Sequence, residues 1–313
     1  PQVNGSLGYS TNFGYEASFG EGAIKQRGSI TGGLLFAWQC RKGGSQKMIL
    51  YFSATGNGKY IAEQIAEKTD EKCMSIVDCI CEDKYCFSNE KIFGMVVPTY
   101  FWRLPRIVAE YLGKLRIENC GYTFFLTSYG ATTGEAGSMA KKIMAHNGQN
   151  FDAYYSVIMP DTWTPVFDLT NKNRVDKWLS DGKKQLKLVI GNIMSKRKGD
   201  FIDRKLPKWV AAIPAAYMYA TERKTKNLSV NKDACVGCGV CAKKCPVGAI
   251  QMIDGYPVWK LEECEMCLGC LYRCPKFAIS YGNGKLTDMD SIKIHILEFK
   301  RKHRISGERN SKS

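Results

Sequence analysis

The sequence predicts an α/β fold, a doubly wound parallel sheet followed by a small α+β domain. Three observations carry this. Apolar runs of strand length recur in the first two thirds of the chain, each ending in a loop of small polar or aromatic residues, as buried parallel strands do. The first such run passes directly into a helical period. Further on, the spacing C-x-x-C-x-x-C-x-x-x-C-P occurs twice.

The first run is Met48-Ile49-Leu50-Tyr51-Phe52, followed by Ser53-Ala54-Thr55-Gly56-Asn57-Gly58-Lys59. Tyr60, Ile61, Ile65 and Ala66 then recur at helical spacing between Glu63, Glu67 and Lys68. A buried strand, a glycine-hydroxyl loop and a helix start form an anion site, because helix N-terminal N–H groups point at the ligand. The loop lacks G-x-x-x-x-G-K-[ST] and G-x-G-x-x-G, so it is neither a Walker A nor a dinucleotide fingerprint. Its pattern resembles the phosphate loop of flavodoxins, [TS]-x-T-G-x-[TS], through Ser53, Thr55 and Gly56. Gly58 stands where that family has a final hydroxyl, which shifts the burden to backbone donors and Lys59.

Two more strand ends match the flavin loops of flavodoxins in position. Residues 92–97 run into Pro98-Thr99-Tyr100-Phe101-Trp102, and residues 123–126 run into Thr127-Ser128-Tyr129-Gly130. In open α/β sheets ligands sit beyond the carboxyl ends of strands where the strand order reverses. Aromatic faces suit an isoalloxazine ring, and Tyr100, Trp102 and Tyr129 are the expected stacking residues. The resemblance spans about residues 48–200 and implies FMN. The sheet is expected to finish with residues 154–159, with Pro160-Asp161-Thr162-Trp163 bordering the crevice. A long amphipathic helix follows over 175–194, with Trp178, Leu186, Val189, Ile190 and Ile193 facing in.

In the repeat, Cys235, Cys238, Cys241 and Cys245 precede Pro246, and Cys264, Cys267, Cys270 and Cys274 precede Pro275, an offset of 29 residues. Three thiolates two residues apart on a tight loop converge on three corners of an iron–sulfur cube, and in this spacing the fourth cysteine serves the other cluster. One set is therefore Cys235, Cys238, Cys241 and Cys274; the other is Cys264, Cys267, Cys270 and Cys245. Zinc is the rival, but it needs two C-x-x-C pairs per ion and leaves the remaining cysteines and the prolines unexplained. These residues resemble a bacterial two-cluster ferredoxin over about 228–281, which implies two [4Fe-4S] clusters in a domain too small to fold on its apolar core alone.

A chain of 313 residues suggests about two domains. The expected division is 1–47 disordered or extraneous, with Met48 the natural start; 48–200 the flavodoxin-like domain; 201–229 a linker; 230–282 the ferredoxin domain; and 283–313 a basic tail. In the linker Trp209, Val210, Ile213, Tyr217 and Met218 are expected to cover the sheet domain or the seam. Cysteines committed to clusters need a reducing compartment, hence a cytoplasmic location. The formal charge of +15 is spread along the chain instead of forming one basic domain, which argues against nucleic acid. The longest apolar run, 209–220, is broken by Pro214 and falls short of the roughly 20 residues a membrane span needs. Cys73, Cys79, Cys81 and Cys86 fit no ligand spacing and are read as packing residues; Cys40 and Cys120 have no assignment. His146, His295 and His303 have no acid or nucleophile motif beside them. In the basic stretch 292–305 a solvated helix end is the first reading and an acidic partner protein the second.

The combination resembles the EFR-type ferredoxin family of anaerobic microbes over nearly all of 48–282. It implies electron transfer between FMN, two [4Fe-4S] clusters and soluble redox partners. The alternative is a flavin-dependent reductase with a small substrate of its own, so electron carrier and oxidoreductase both stay open. A cluster-based regulatory sensor is the third reading.

Overall fold

The computed structural model describes residues 48–165, 167, 169, 171–206 and 217–282. The expectations for 1–47, Cys40, Trp209, Val210, Ile213, His295, His303 and the tail lie outside the described residues.

Six parallel strands form one sheet in the order β2-β1-β4-β6-β7-β8. They are β1 (Met48–Tyr51), β2 (Lys72–Ser75), β4 (Phe93–Pro98), β6 (Thr123–Tyr129), β7 (Ala153–Ile158) and β8 (Gly199–Phe201). Between β2 and β4 lies β3 (Cys86–Ser88), which pairs with β5 (Arg116–Glu118) in a separate two-stranded ribbon. The sheet does not finish at β7 as expected. Gly199-Asp200-Phe201 extends it, a segment too short and too polar to be read as a buried strand, because only one of its edges is paired.

Period-two alternation distributes each strand between two cores. Leu50, Met95, Phe125 and Tyr154 face α3 (Arg106–Lys114) and α4 (Ala136–His146). Ile49, Val96, Leu126 and Tyr155 face α1 (Asn57–Thr69) and α5 (Lys172–Met194). Helices on both faces cover every central strand, so these strands are largely apolar, with buried Thr123, Thr127, Ser128 and Ser156 the exceptions. In α5, Leu186, Val189 and Ile193 are buried as expected, while Trp178 and Ile190 lie at the margin of the same core. The short helix α2 (Ile76–Cys81) follows β2 at once, because the Ser75 side chain accepts from Val77 N and caps it.

The cysteine repeat builds a smaller α+β unit. β9 (Leu228–Val230) pairs antiparallel with β12 (Ile279–Tyr281), and β10 (Ile250–Ile253) with β11 (Tyr256–Trp259). The two-residue turn Asp254-Gly255 has positive φ at both positions (50° and 81°), the geometry that matches the twist of a tight hairpin. Its core gathers Leu228, Leu271, Tyr272 and Ile279, with Phe101 and Trp163 of the sheet unit packed against it.

Glu265, 3% exposed, crosses between the two units. Its carboxylate accepts from Arg106 N (3.0 Å) and Ile107 N (3.3 Å) at the start of α3, where Pro105 provides no side-chain cap. The open N–H groups of a helix end are thus satisfied by a residue 159 positions away in sequence. Among the described residues no helix is long and apolar enough to cross a membrane.

Candidate functional site

The loops after β1, β4, β6 and β7 all emerge at the carboxyl edge of the sheet and surround a large cavity open to solvent. Ser53, Thr55, Asn57, Gly58, Pro98, Thr99, Tyr100, Phe101, Trp102, Ser128, Tyr129 and Gly130 line it. Three other residues expected at the site are placed differently. Gly56 is the residue before α1, with φ 114°. Thr127 is fully buried, its hydroxyl 2.9 Å from that of Thr99. Lys59 runs along the helix to Glu63, 3.6 Å away.

No side chain caps α1, so the N–H groups of its first turn are open to a ligand. The Asn57 side chain donates to Pro160 O (3.0 Å), while its buried Oδ1 has no partner. The missing hydroxyl at position 58 has a steric cause. A Cβ there would sit 2.7 Å from the backbone oxygen of Phe52, so the close approach of helix to strand admits only glycine.

The loop after β4 is strained. Phe101 (φ 47°) and Trp102 (φ 62°) both lie in the left-handed region, which bulky residues enter only where their surroundings hold them. Tyr100 and Arg103 close the loop through reciprocal backbone bonds of 2.9 and 2.8 Å, and Trp102 O accepts from Glu135 N at 2.7 Å. The Phe101 ring turns to Trp163 (5.1 Å between centroids) and Tyr219 (6.2 Å). Trp163 in turn meets Tyr281 at 5.3 Å. Phe101 therefore lines the cavity and also joins the two units. Of the linker residues, Met218 reaches the cavity wall, but Tyr217 is 70% exposed and covers nothing, contrary to expectation.

The eight repeat cysteines separate into two sets around two cavities. Cys235, Cys238, Cys241 and Cys274 line one, and Cys245, Cys264, Cys267 and Cys270 line the other. The fourth cysteine of each half thus faces the other half's loop. Backbone N–H groups donate to three of the sulfurs: Ala249 to Cys245 (3.3 Å), Met266 to Cys264 (3.2 Å) and Ala278 to Cys274 (3.2 Å). Burial pushes the Cys267 thiol up to about 12 and Cys264 to about 11, and holds Cys270 well above its usual value. Without a bound cation these groups stay protonated at neutral pH; cluster iron supplies the compensating charge, so the donor set suits it. Among the described residues no three His, Cys, Asp or Glu side chains are grouped to hold a single metal ion. Cys73 and Cys79 pack into the two sheet cores, and burial raises both thiols, to about 12 and about 11. His146 is exposed on the last turn of α4.

Met266, Cys267 and Leu268 line both the cavity of the Cys245, Cys264, Cys267 and Cys270 set and the large cavity, and so form a shared wall. Arg273 braces it, donating to Ser53 O (3.1 Å) and Lys244 O (3.3 Å). The Tyr272 hydroxyl donates to Thr162 O (3.0 Å). Sequence reasoning did not foresee this wall, although comparison of the two halves at their 29-residue offset carries the signal. Met266 and Leu268 replace Gly237 and Gly239.

Residues 48–187 match the flavodoxin domain family, and residues 228–251 match the 4Fe-4S binding domain family. An uncharacterized ferredoxin of Methanocaldococcus jannaschii is 41% identical over 61 residues, covering 18% of this chain; the chain spans only 34% of that relative's length. Among solved structures, a putative flavoprotein from Bacteroides uniformis is 16% identical, with a TM-score of 0.28 over 44% of this chain and 99% of its own. A flavodoxin from the domain Archaea is 15% identical, with a TM-score of 0.25 over 45% of this chain and 96% of its own.

Proposed function

We propose that this flavodoxin-like domain joined to a ferredoxin domain, an electron-transfer flavo-iron–sulfur protein, relays electrons between FMN in the large cavity and two [4Fe-4S] clusters, and from them to soluble redox partners. The observation that carries the reading is the wall of Met266, Cys267 and Leu268, shared by the two cavities. A ligand thiolate at the boundary of the flavin cavity leaves the shortest path between the two centres.

FMN accepts two electrons and releases them singly, whereas a cluster carries one. The protein's part is placement. The open N–H groups of α1, with Thr55, Asn57 and Gly58, hold the phosphate, and Tyr100, Trp102 and Tyr129 provide faces for the ring. Cys245, Cys264, Cys267 and Cys270 hold the cluster next to the flavin. Cys235, Cys238, Cys241 and Cys274 hold the outer one, where exposed Cys238 and Val236 (58% exposed) bring it to the surface. Lys232, Lys243 and Lys276 are exposed in that region and favour partners with acidic surfaces.

The test is an anaerobic reductive titration of reconstituted protein, followed by absorbance and electron paramagnetic resonance with flavin, iron and sulfide analysis. About one FMN and eight iron per chain are expected, with flavin and clusters sharing electrons within the mixing time. Clusters that stay oxidised beside a fully reduced flavin, at potentials that allow transfer, would overturn the relay.

A further inference from the structure

Asp161 is the one charged side chain among the described residues that line the large cavity; no lysine or arginine joins it there. It follows β7 and is wedged against the loop after β6, so close to Gly130 that no side chain fits at that position. Its Oδ1 accepts from Trp163 N at 3.0 Å. The surrounding loop is pinned from three directions. Asn57 Nδ2 donates to Pro160 O (3.0 Å), the Thr55 and Thr162 hydroxyls lie 3.2 Å apart, and the Tyr272 hydroxyl donates to Thr162 O (3.0 Å). The carboxyl group is therefore held rigidly in the cavity wall.

Burial pushes the carboxyl up to about 6, and the bond from Trp163 N is the only opposing influence. The titratable groups around the same space are Tyr272 from the helix Gly269–Arg273, Tyr129 from β6, Tyr100 from the loop after β4, and Cys267 from the shared wall. Burial raises all four, so all are neutral near pH 7 as free groups. With Cys267 committed to a cluster, Asp161 is the remaining group that can exchange a proton in this range.

We infer that Asp161 couples a proton to the flavin reaction. As an electron adds negative charge to the ring in the cavity, the carboxylate takes one proton from solvent and forms an O–H bond. When the electron leaves for the neighbouring cluster, that bond breaks and the proton returns to solvent. The carboxylate takes up at most one proton, which matches the first electron to enter, so the cavity avoids holding two adjacent negative charges at that stage. The inference rests on the proposed FMN site.

The test compares FMN-loaded wild type with Asp161→Asn, which keeps the size of the side chain and its acceptor for Trp163 N. FMN affinity and the flavin midpoint potential are measured between about pH 5 and 8. At the acid end the two potentials coincide. Above about pH 6 the wild-type potential falls increasingly below that of the variant. Asp161→Glu restores the divergence. Parallel pH profiles with FMN bound to both chains overturn the role of Asp161 and leave the FMN site standing; wild type that binds no FMN overturns both. Should the Asn variant fail to fold, the wild-type infrared difference spectrum decides. A protonated-carboxyl band that grows on reduction supports the inference, and its absence refutes it.

Discussion

The two halves of the cysteine repeat have the same spacing and opposite surroundings. In the first half Gly237 and Gly239 take the left-handed conformation, φ 66° and 69°, that the cysteine loop requires. In the second half the same backbone is built with Met266 (φ 45°) and Leu268 (φ 54°). A side chain in that conformation costs about 1–2 kcal/mol. Here the cost is offset, because both side chains are 3% exposed and form the wall shared with the large cavity. Glycine serves where the loop faces water at Val236 and Cys238; strained apolar residues serve where it faces the large cavity. The repeat supplies two similar centres, and the departures from it make one covered and one open.

The largest effect expected from breaking this comparison comes from the ligands. Cys274→Ala should remove about half the iron, with the loss confined to the open cavity, and Cys245→Ala should remove the other half from the covered one. Iron analysis with paramagnetic resonance of each variant checks this, and losses in the reverse order would undo the crossed assignment. Exchange of the wall residues comes next. Leu268→Gly relieves strain but loses about 2–3 kcal/mol of burial, so a net loss of about 1–2 kcal/mol in chemical denaturation is expected, together with weaker FMN binding. Gly239→Leu adds strain with little to bury, its Cβ only just reaching Met252 at 3.8 Å, and should cost about 1–2 kcal/mol with FMN affinity unchanged. A last effect, of similar size in stability, distinguishes cover from contact. Glu265→Ala leaves Arg106 N and Ile107 N without their acceptor and should cost about 1–2 kcal/mol, while the iron content stays whole.

Much of this was legible in the sequence because it is local. A phosphate loop must follow its strand at once, and a cysteine loop must bring three thiols to one place within a few residues. The strand ends at 98–102 and 127–130 could likewise be read from the apolar runs before them. Three features were not legible. Gly199–Phe201 is too short and polar to signal a strand, and becomes one only because the edge of β7 is there to pair with. Lys59, which looks like a phosphate ligand beside the loop, sits where the turn of α1 carries it to Glu63. Asp161 was expected only to border the crevice, since its neighbours in sequence do not reveal that Gly130 and Trp163 enclose it.

Residue order alone dictated the α/β alternation, the helix start directly after the first strand and the two sets of thiols, since each depends on contacts within a few positions or on a periodic pattern. Folding in three dimensions decided which cysteine loop meets the large cavity, which carboxylate caps α3 and which one stands alone in the cavity wall. Those outcomes depend on burial and on partners more than a hundred residues apart, and neither is encoded in any one stretch of the chain.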